Sequence, residues 1–160
     1  MNKQNDTFVA DADLRAQNRA VVADYMSRKE ETRKTRYKLF TDDGSAGLWT
    51  SDSSKPIMSE GIEKLQAHGE WSLRMFPDWV WTNVVIHETQ DPNMFWVECD
   101  GEGTINYPAY PKGTYRNHFI HSFEFEDGKI KRNREFMNPL QQFRALGIEV
   151  PTIDRGGIPT

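Results

Sequence analysis

Apolar residues in the first half of the chain recur mainly at helical spacing. Asp13 is a candidate N-cap, and apolar residues three to four positions apart follow it from Leu14 to Met26. This pattern predicts a first helix that ends near residue 32. Three more elements are predicted in this half, a short helix, a short strand and a longer helix, over residues 34–40, 44–50 and 60–76.

The second half instead consists of aromatic and β-branched segments separated by turn residues, which is typical of strands. The predicted strands cover residues 80–89, 94–106, 115–126 and 129–137. Asp127-Gly128 between the last two favours a tight hairpin, and Pro139 and Gly147 suit the start and end of a terminal helix. Helices followed by long antiparallel strands predict an α+β fold, with helices packed on one face of a curved sheet and a cavity between the layers.

The length of 160 residues favours one domain. We predict a flexible N-terminal arm over residues 1–11, because they are polar and lack periodicity, and a single domain over residues 12–160. Five Trp, nine Phe and five Tyr supply enough apolar surface for a substantial core.

Charge and composition argue against several classes of protein. The net charge of −4 is unfavourable for nonspecific binding to nucleic acid, which needs a concentrated positive surface. We expect no membrane partner, because there is no apolar run near the length that spans a bilayer, and no signal peptide, because the first residues lack an apolar core. Cys99 is the single cysteine, so a reducing, cytoplasmic location is the simplest expectation.

The third predicted helix carries polar residues on its apolar stripe. Leu65, His68, Ser72 and Phe76 follow at helical spacing on one face. The more common interpretation is a core histidine and a serine that are satisfied by hydrogen bonds. The functional one is a pocket wall, in which histidine can donate and accept protons near neutral pH.

Glu135 lies deep in the last predicted strand beside Phe136 and Met137. Such a carboxylate is either paired with an arginine, such as Arg132 or Arg134, or works as an acid or base. The hairpin register decides which face it occupies. A strict two-residue turn places Glu135 on the face opposite to Tyr115, Phe119 and His121, whereas a three-residue loop with a bulge places it on the same face as Tyr115 and Phe119.

Two further residues are candidates for ligand contacts. Arg36 is either a solvated surface arginine or a bidentate partner for a substrate carboxylate. Tyr115 is either a core residue or a hydroxyl donor in a pocket. His87, His118 and His121 lack metal-ligand spacing with nearby acids, so no metal site is predicted.

At this point the chain resembles the PhzA/PhzB proteins of phenazine biosynthesis over nearly its whole length. The resemblance is carried by residues 14–20, 48–50, 76–81, 91–101, 117–124, 128–139 and the ending from Arg144 onward. It implies the cone-shaped fold of the nuclear-transport-factor-2-like and SnoaL-like superfamily, usually as a homodimer. It also favours the bulged register, because Glu135 and Tyr115 must then share a cavity.

The resemblance further implies an enzyme that condenses two molecules of 6-amino-5-oxocyclohex-2-ene-1-carboxylate by double imine formation, without a metal or redox cofactor. The product is a hexahydrophenazine-1,6-dicarboxylate. The family assigns acid/base work to positions that match His68 and Glu135, and substrate binding to positions that match Arg36, Ser72 and Tyr115. Some family members lack the histidine, which this chain keeps.

Two other functions remain open on the sequence. One is a different acid/base enzyme on the same fold, such as a ketosteroid isomerase or polyketide cyclase, for which a more apolar cavity without Arg36 is expected. The other is a non-catalytic partner that binds the substrate. Retention of both His68 and Glu135 argues against the second.

Overall fold

A computed structural model describes the backbone of residues 3–159 and the side chains of residues 11–159. The helices are α1 (Lys3–Tyr25), α2 (Glu30–Thr35), a 3₁₀ helix (Arg36–Leu39), α3 (Ile62–Met75) and α4 (Pro139–Ala145). The strands are β1 (Phe40–Leu48), β2 (Ile57–Glu60), β3 (Val80–Glu88), β4 (Met94–Ile105), β5 (Gly113–Glu126) and β6 (Lys129–Met137). No described helix combines the length and apolar composition needed to cross a membrane.

One six-stranded sheet joins all the strands in the order β2-β1-β6-β5-β4-β3. The neighbouring strands are antiparallel except β1 and β6, which pair in parallel. The predicted α+β class is confirmed. The parallel pair and strand β2 were not predicted, because β1 and β6 are distant in sequence and β2 is only four residues long.

Helix α1 packs its C-terminal turns onto the sheet through residues at helical spacing. Val22, Tyr25 and Met26 are buried and form the core together with inward residues of β4 and β5, among them Phe95, Val97, Phe119 and Phe123. The helix ends at Tyr25 rather than near residue 32, and α2 begins after a short break at Glu30.

The N-terminal end of α1 also differs from the prediction. The helix begins at Lys3 rather than after Asp13, so residues 3–11 are helical. Met1 and Asn2, the first residues of the predicted arm, lie outside the described residues, as does Thr160. The mobility of the arm stays a prediction.

The hairpin between β5 and β6 combines a tight turn with a bulge. Asp127 and Gly128 have positive φ angles of 49° and 75°, and Phe125 pairs with Ile130 as a two-residue turn requires. The register then shifts by one residue, which leaves Lys131 as the surplus residue. The bulged register is therefore correct, although the bulge lies in β6 and not in the loop.

Helix α4 closes one end of the molecule beside β5. Pro139 occupies its first turn, and the side chain of Asn138 caps it by accepting a hydrogen bond from the Leu140 N–H at 3.0 Å. Gly147 has a positive φ of 71° just after the helix, as predicted for its end. This short helix brings Phe143 and Leu146 to the rim of the central cavity.

Candidate active site

The space between α3, the 3₁₀ helix and the inner face of the sheet is a cavity of about 430 Å³. This volume lies in the range of about 300–1,000 Å³ that is common for small-molecule sites. The side chains predicted as site residues all line it: Arg36, His68, Ser72, Tyr115 and Glu135. A smaller chamber of about 90 Å³ is lined by the same residues except Tyr115. The fold thus brings together residues that are up to 99 positions apart, from Arg36 to Glu135.

Glu135 reaches the cavity because of the bulge in β6. The shifted register pairs it with His121 and pairs Met137 with Phe119, so Glu135 shares the inner face with Tyr115 and Phe119. Its side chain is 22% exposed.

The arginines beside Glu135 in sequence do not pair with it. Arg132 binds Glu124 at 2.6 Å, and Arg134 donates to the Ser122 hydroxyl at 2.9 Å. Among the described side chains, the one ion-pair contact of Glu135 within 4.0 Å is His121 Nδ1, at that limit. The carboxylate is therefore available to a bound molecule.

The surroundings of Glu135 adjust its proton affinity. Burial raises the pKa of this carboxyl to about 7, and the nearby Arg36 guanidinium opposes part of that rise. A group with a pKa near the working pH exists in both forms and can take up and return a proton within one reaction cycle.

His68 faces the cavity from the middle of α3 and is held by a strand that the sequence did not predict. Its Nδ1 is 2.9 Å from the hydroxyl of Ser59 in β2, and its ring makes an edge contact with Trp71. Burial lowers the pKa of His68, so the imidazole is neutral at pH 7. With Nδ1 occupied by Ser59, Nε2 remains for contact with a ligand.

Arg36 is a half-buried cation without a carboxylate partner in the described part of the chain. Its guanidinium carbon lies 4.5 Å from the centroid of the Tyr25 ring, and its buried Nε has no hydrogen-bond acceptor. The neighbouring Arg33 differs, because it donates to the carbonyl oxygens of Phe76 and Pro77 at 2.6 and 3.1 Å and thereby fixes the end of α3. Arg36 is the guanidinium with donors left for an anion.

Ser72 and Tyr115 add hydroxyl groups to the same cavity. Ser72 lies one turn after His68 on α3, and its hydroxyl has no hydrogen-bond partner among the described residues. The Tyr115 hydroxyl accepts from Asn117 Nδ2 at 2.8 Å, which leaves its own proton free to donate. Burial raises the pKa of Tyr115 to about 12, so the phenol stays protonated.

The remaining wall of the cavity is aromatic. Phe76, Trp79, Trp81 and Tyr107 line it, and neighbouring rings in this wall contact each other, as between Trp79 and Tyr115 at 5.3 Å. Aromatic side chains of this kind pack well against planar or partly planar ligand rings. A cavity with aromatic walls, one unpaired guanidinium and two proton-transfer groups suits a small cyclic acid.

Two residues with contacts at this site were not predicted from the sequence. Ser59 was missed because β2 itself was missed. His121 was assigned no role, although its position on the face of Phe119 was a signal that it would lie near Glu135 once the bulge was known.

The family model for phenazine biosynthesis protein A/B matches residues 1–160. Phenazine biosynthesis protein PhzB of Pseudomonas fluorescens is 60% identical over 93% of this chain and 92% of its own length. The crystal structure of PhzB2 from Pseudomonas aeruginosa superimposes with a TM-score of 0.93 at 57% identity, covering 96% of this chain and 99% of that one. A putative SnoaL-like polyketide cyclase from Jannaschia, with a TM-score of 0.66 at 17% identity over 84% of this chain and 94% of its own, shares the fold, which confirms the predicted nuclear-transport-factor-2-like architecture.

Proposed function

From the premise that this chain belongs to the phenazine biosynthesis protein A/B family, we propose that it condenses two molecules of 6-amino-5-oxocyclohex-2-ene-1-carboxylate. The amine of each molecule attacks the ketone of the other, and loss of two waters leaves two imine bonds in a tricyclic hexahydrophenazine dicarboxylate. The observation that carries this proposal is that His68 and the unpaired Glu135 line one cavity together with Arg36.

Each imine needs the same proton transfers, and the cavity has groups for them. The attacking amine must lose a proton, which the ionised Glu135 carboxylate accepts. The carbinolamine oxygen must then gain a proton to leave as water. Glu135 returns the proton that it accepted from the amine, and His68 does the same where its Nε2 was the acceptor. A carboxyl with a pKa of about 7 and a neutral imidazole are suited to both directions of transfer at neutral pH.

The polar groups with unused hydrogen-bond donors bind the substrate. Arg36 pairs with a ring carboxylate through its unoccupied guanidinium edge, and the hydroxyls of Ser72 and Tyr115 donate to the remaining oxygens. The aromatic walls enclose the rings. Holding two reactants in reacting geometry offsets a large entropic cost, since effective molarities of about 10⁵ M or more are reached by well-oriented pairs.

The test is turnover of the amino-keto acid to the tricyclic product by purified Glu135→Gln and His68→Ala proteins. We expect each variant to lower turnover by roughly 10²–10⁴-fold, the usual range for acid–base groups. Glu126→Gln is the matched control, because it neutralises an exposed carboxylate at the end of the neighbouring strand, and it should keep wild-type turnover.

Unchanged turnover in both site variants would overturn the assignment. A panel of apolar ketones, assayed in parallel, separates condensation from the isomerase or cyclase alternative. Binding of the amino-keto acid without faster dimerisation would instead identify a non-catalytic binding protein.

A further inference from the structure

His121 is a fully buried histidine that lies directly opposite Glu135 on the neighbouring strand. Its side chain is 0% exposed, and neither ring nitrogen has a hydrogen-bond partner among the described residues. Its Nδ1 is 4.0 Å from Glu135 Oε1. Buried polar groups nearly always have partners, so an imidazole with two unpaired nitrogens beside a carboxylate requires an explanation.

The other described groups around His121 form no hydrogen bond with it. The ring is enclosed by the aromatic rings of Tyr25, Trp81, Phe119 and Phe123, at centroid distances of 5.0 to 6.4 Å. The hydroxyl of Tyr25 donates to Asn133 at 3.0 Å, so its proton is already used. Closing the gap to Glu135 from 4.0 Å to a hydrogen bond of about 2.9 Å needs a movement of only about 1 Å.

His121 can contact Glu135 without neutralising it. Burial, and then the charge of Arg36, lower the pKa of His121 to about 3, so the ring is neutral at working pH. A neutral imidazole donates one N–H and brings no positive charge. It can therefore orient the carboxylate and still leave it basic, unlike a salt-bridged arginine.

We propose that His121 is a positioning residue, whose Nδ1–H donates to Oε1 of the ionised Glu135 and leaves the second carboxylate oxygen for the ligand in the cavity. The catalytic meaning of this contact rests on the acid/base role proposed for Glu135. Other titratable or charged groups also face Glu135. They are Arg36 from the 3₁₀ helix, Tyr25 from α1, Cys99 from β4, Tyr115 from β5 and His68 from α3.

The contact is tested by titrating Glu135 directly in protein that carries ¹³C at the glutamate carboxyl carbons, with the Glu135 signal assigned by its loss in Glu135→Gln. We expect His121→Phe, which keeps an aromatic ring but no donor, to raise the titration midpoint of Glu135 by about one pH unit, a tenfold change in its ionisation constant. His121→Asn places an amide N–H near the position of Nδ1 and should restore a midpoint close to wild type. His121→Gln places it near Nε2 and should not.

Equal midpoints in wild type, His121→Phe and His121→Gln would overturn the proposal. If His121→Phe fails to fold, the comparison of Asn with Gln still decides, and so does the ¹⁵N spectrum of His121 in the unmodified protein. That spectrum should show a protonated Nδ1 and a bare Nε2, and the opposite tautomer would refute the contact. These readouts need no turnover, so failure of the condensation activity is distinguishable from failure of this inference.

Discussion

At the scale of single residues, Glu135 destabilises the fold when its carboxyl group is ionised, which is the form that accepts the amine proton in the proposed reaction. Its pKa rises from 4.5 to about 7 because burial removes water from the carboxylate. A raised carboxyl pKa means that the folded protein holds a proton that the unfolded chain has released. The group therefore costs no stability below pH 4.5, and its cost grows as the pH rises to about 7 and is constant above it.

We predict that Glu135→Gln is more stable than wild type at pH 8 by roughly 1–3 kcal/mol, since each pKa unit corresponds to about 1.4 kcal/mol. The difference should vanish at pH 4. Urea unfolding at both pH values measures it. A Gln variant that is less stable than wild type at pH 8 would contradict the raised pKa.

Arg36 gives a second prediction at this scale. Arg36→Lys keeps the charge but loses the planar edge that binds a carboxylate through two hydrogen bonds. We expect a stable cyclohexene carboxylate without the ketone to bind about 10–100-fold more weakly, which corresponds to the value of a hydrogen bond to a charged group. Calorimetry measures this loss of affinity. Arg116→Lys is the control, because Arg116 is 77% exposed. Equal affinity of the wild-type protein for the acid and for its methyl ester would refute the carboxylate contact.

At the scale of elements, most of the strands and the stripe on α3 could be predicted from the sequence, because their periodicity is local. The hairpin shows where local information ends. Phe125 and Ile130 fit a strict two-residue turn, whereas Phe119 and Met137 pair one residue out of step with it. Phe136, which would face Phe119 in the strict register, is as apolar as Met137, so the pattern of apolar residues did not distinguish the two registers.

Strand β2 and the parallel pairing of β1 with β6 could not be predicted in the same way. β2 has four residues, of which Ser59 and Glu60 are polar, and Ser59 holds His68. Its stability comes from pairing with β1 and not from its own propensity. Pairing between strands that are about 90 residues apart depends on the whole chain, because no turn links them.

Gly101 in β4 gives a prediction about how the elements pack around the aromatic wall. A Cβ atom there would collide with the rings of Trp79, Trp81 and Phe119. We expect Gly101→Ala to destabilise the protein by about 1–3 kcal/mol, the usual cost of overpacking. Gly69→Ala in α3 is the control, since a Cβ there meets nothing within 4 Å, and it should be neutral or stabilising in the same urea titration.

At the scale of the whole molecule, the outer face of the sheet carries apolar side chains that stay partly exposed in the described part of the chain. We define the outer aromatic cluster as Trp49, Trp96, Ile120 and Phe136, in which Trp49 and Ile120 are 41% and 42% exposed. The guanidinium of Arg134 lies 5.2 Å from the Trp49 ring centroid. Aromatic residues with an arginine are the typical centre of a protein interface.

We predict that this cluster is the contact of the homodimer expected from the family resemblance. Ile120→Glu should convert a dimer to a monomer in sedimentation or light-scattering measurements, because a symmetric contact would place the new charges near each other. Thr114→Glu on the same outer face of β5, about 20 Å away along the strand, should remain dimeric. A wild-type monomer, or a dimeric Ile120→Glu, would contradict this placement.

The surplus residue in β6 has a consequence for comparisons among related chains. Lys131 extends away from the cavity and binds Asp43 and Glu126 at 2.6 and 3.0 Å. Removing it would straighten the strand while each later residue kept its partner on β5, including Glu135 opposite His121. A relative one residue shorter at this point would therefore have the same interior, and a length difference there would be no sign of altered chemistry.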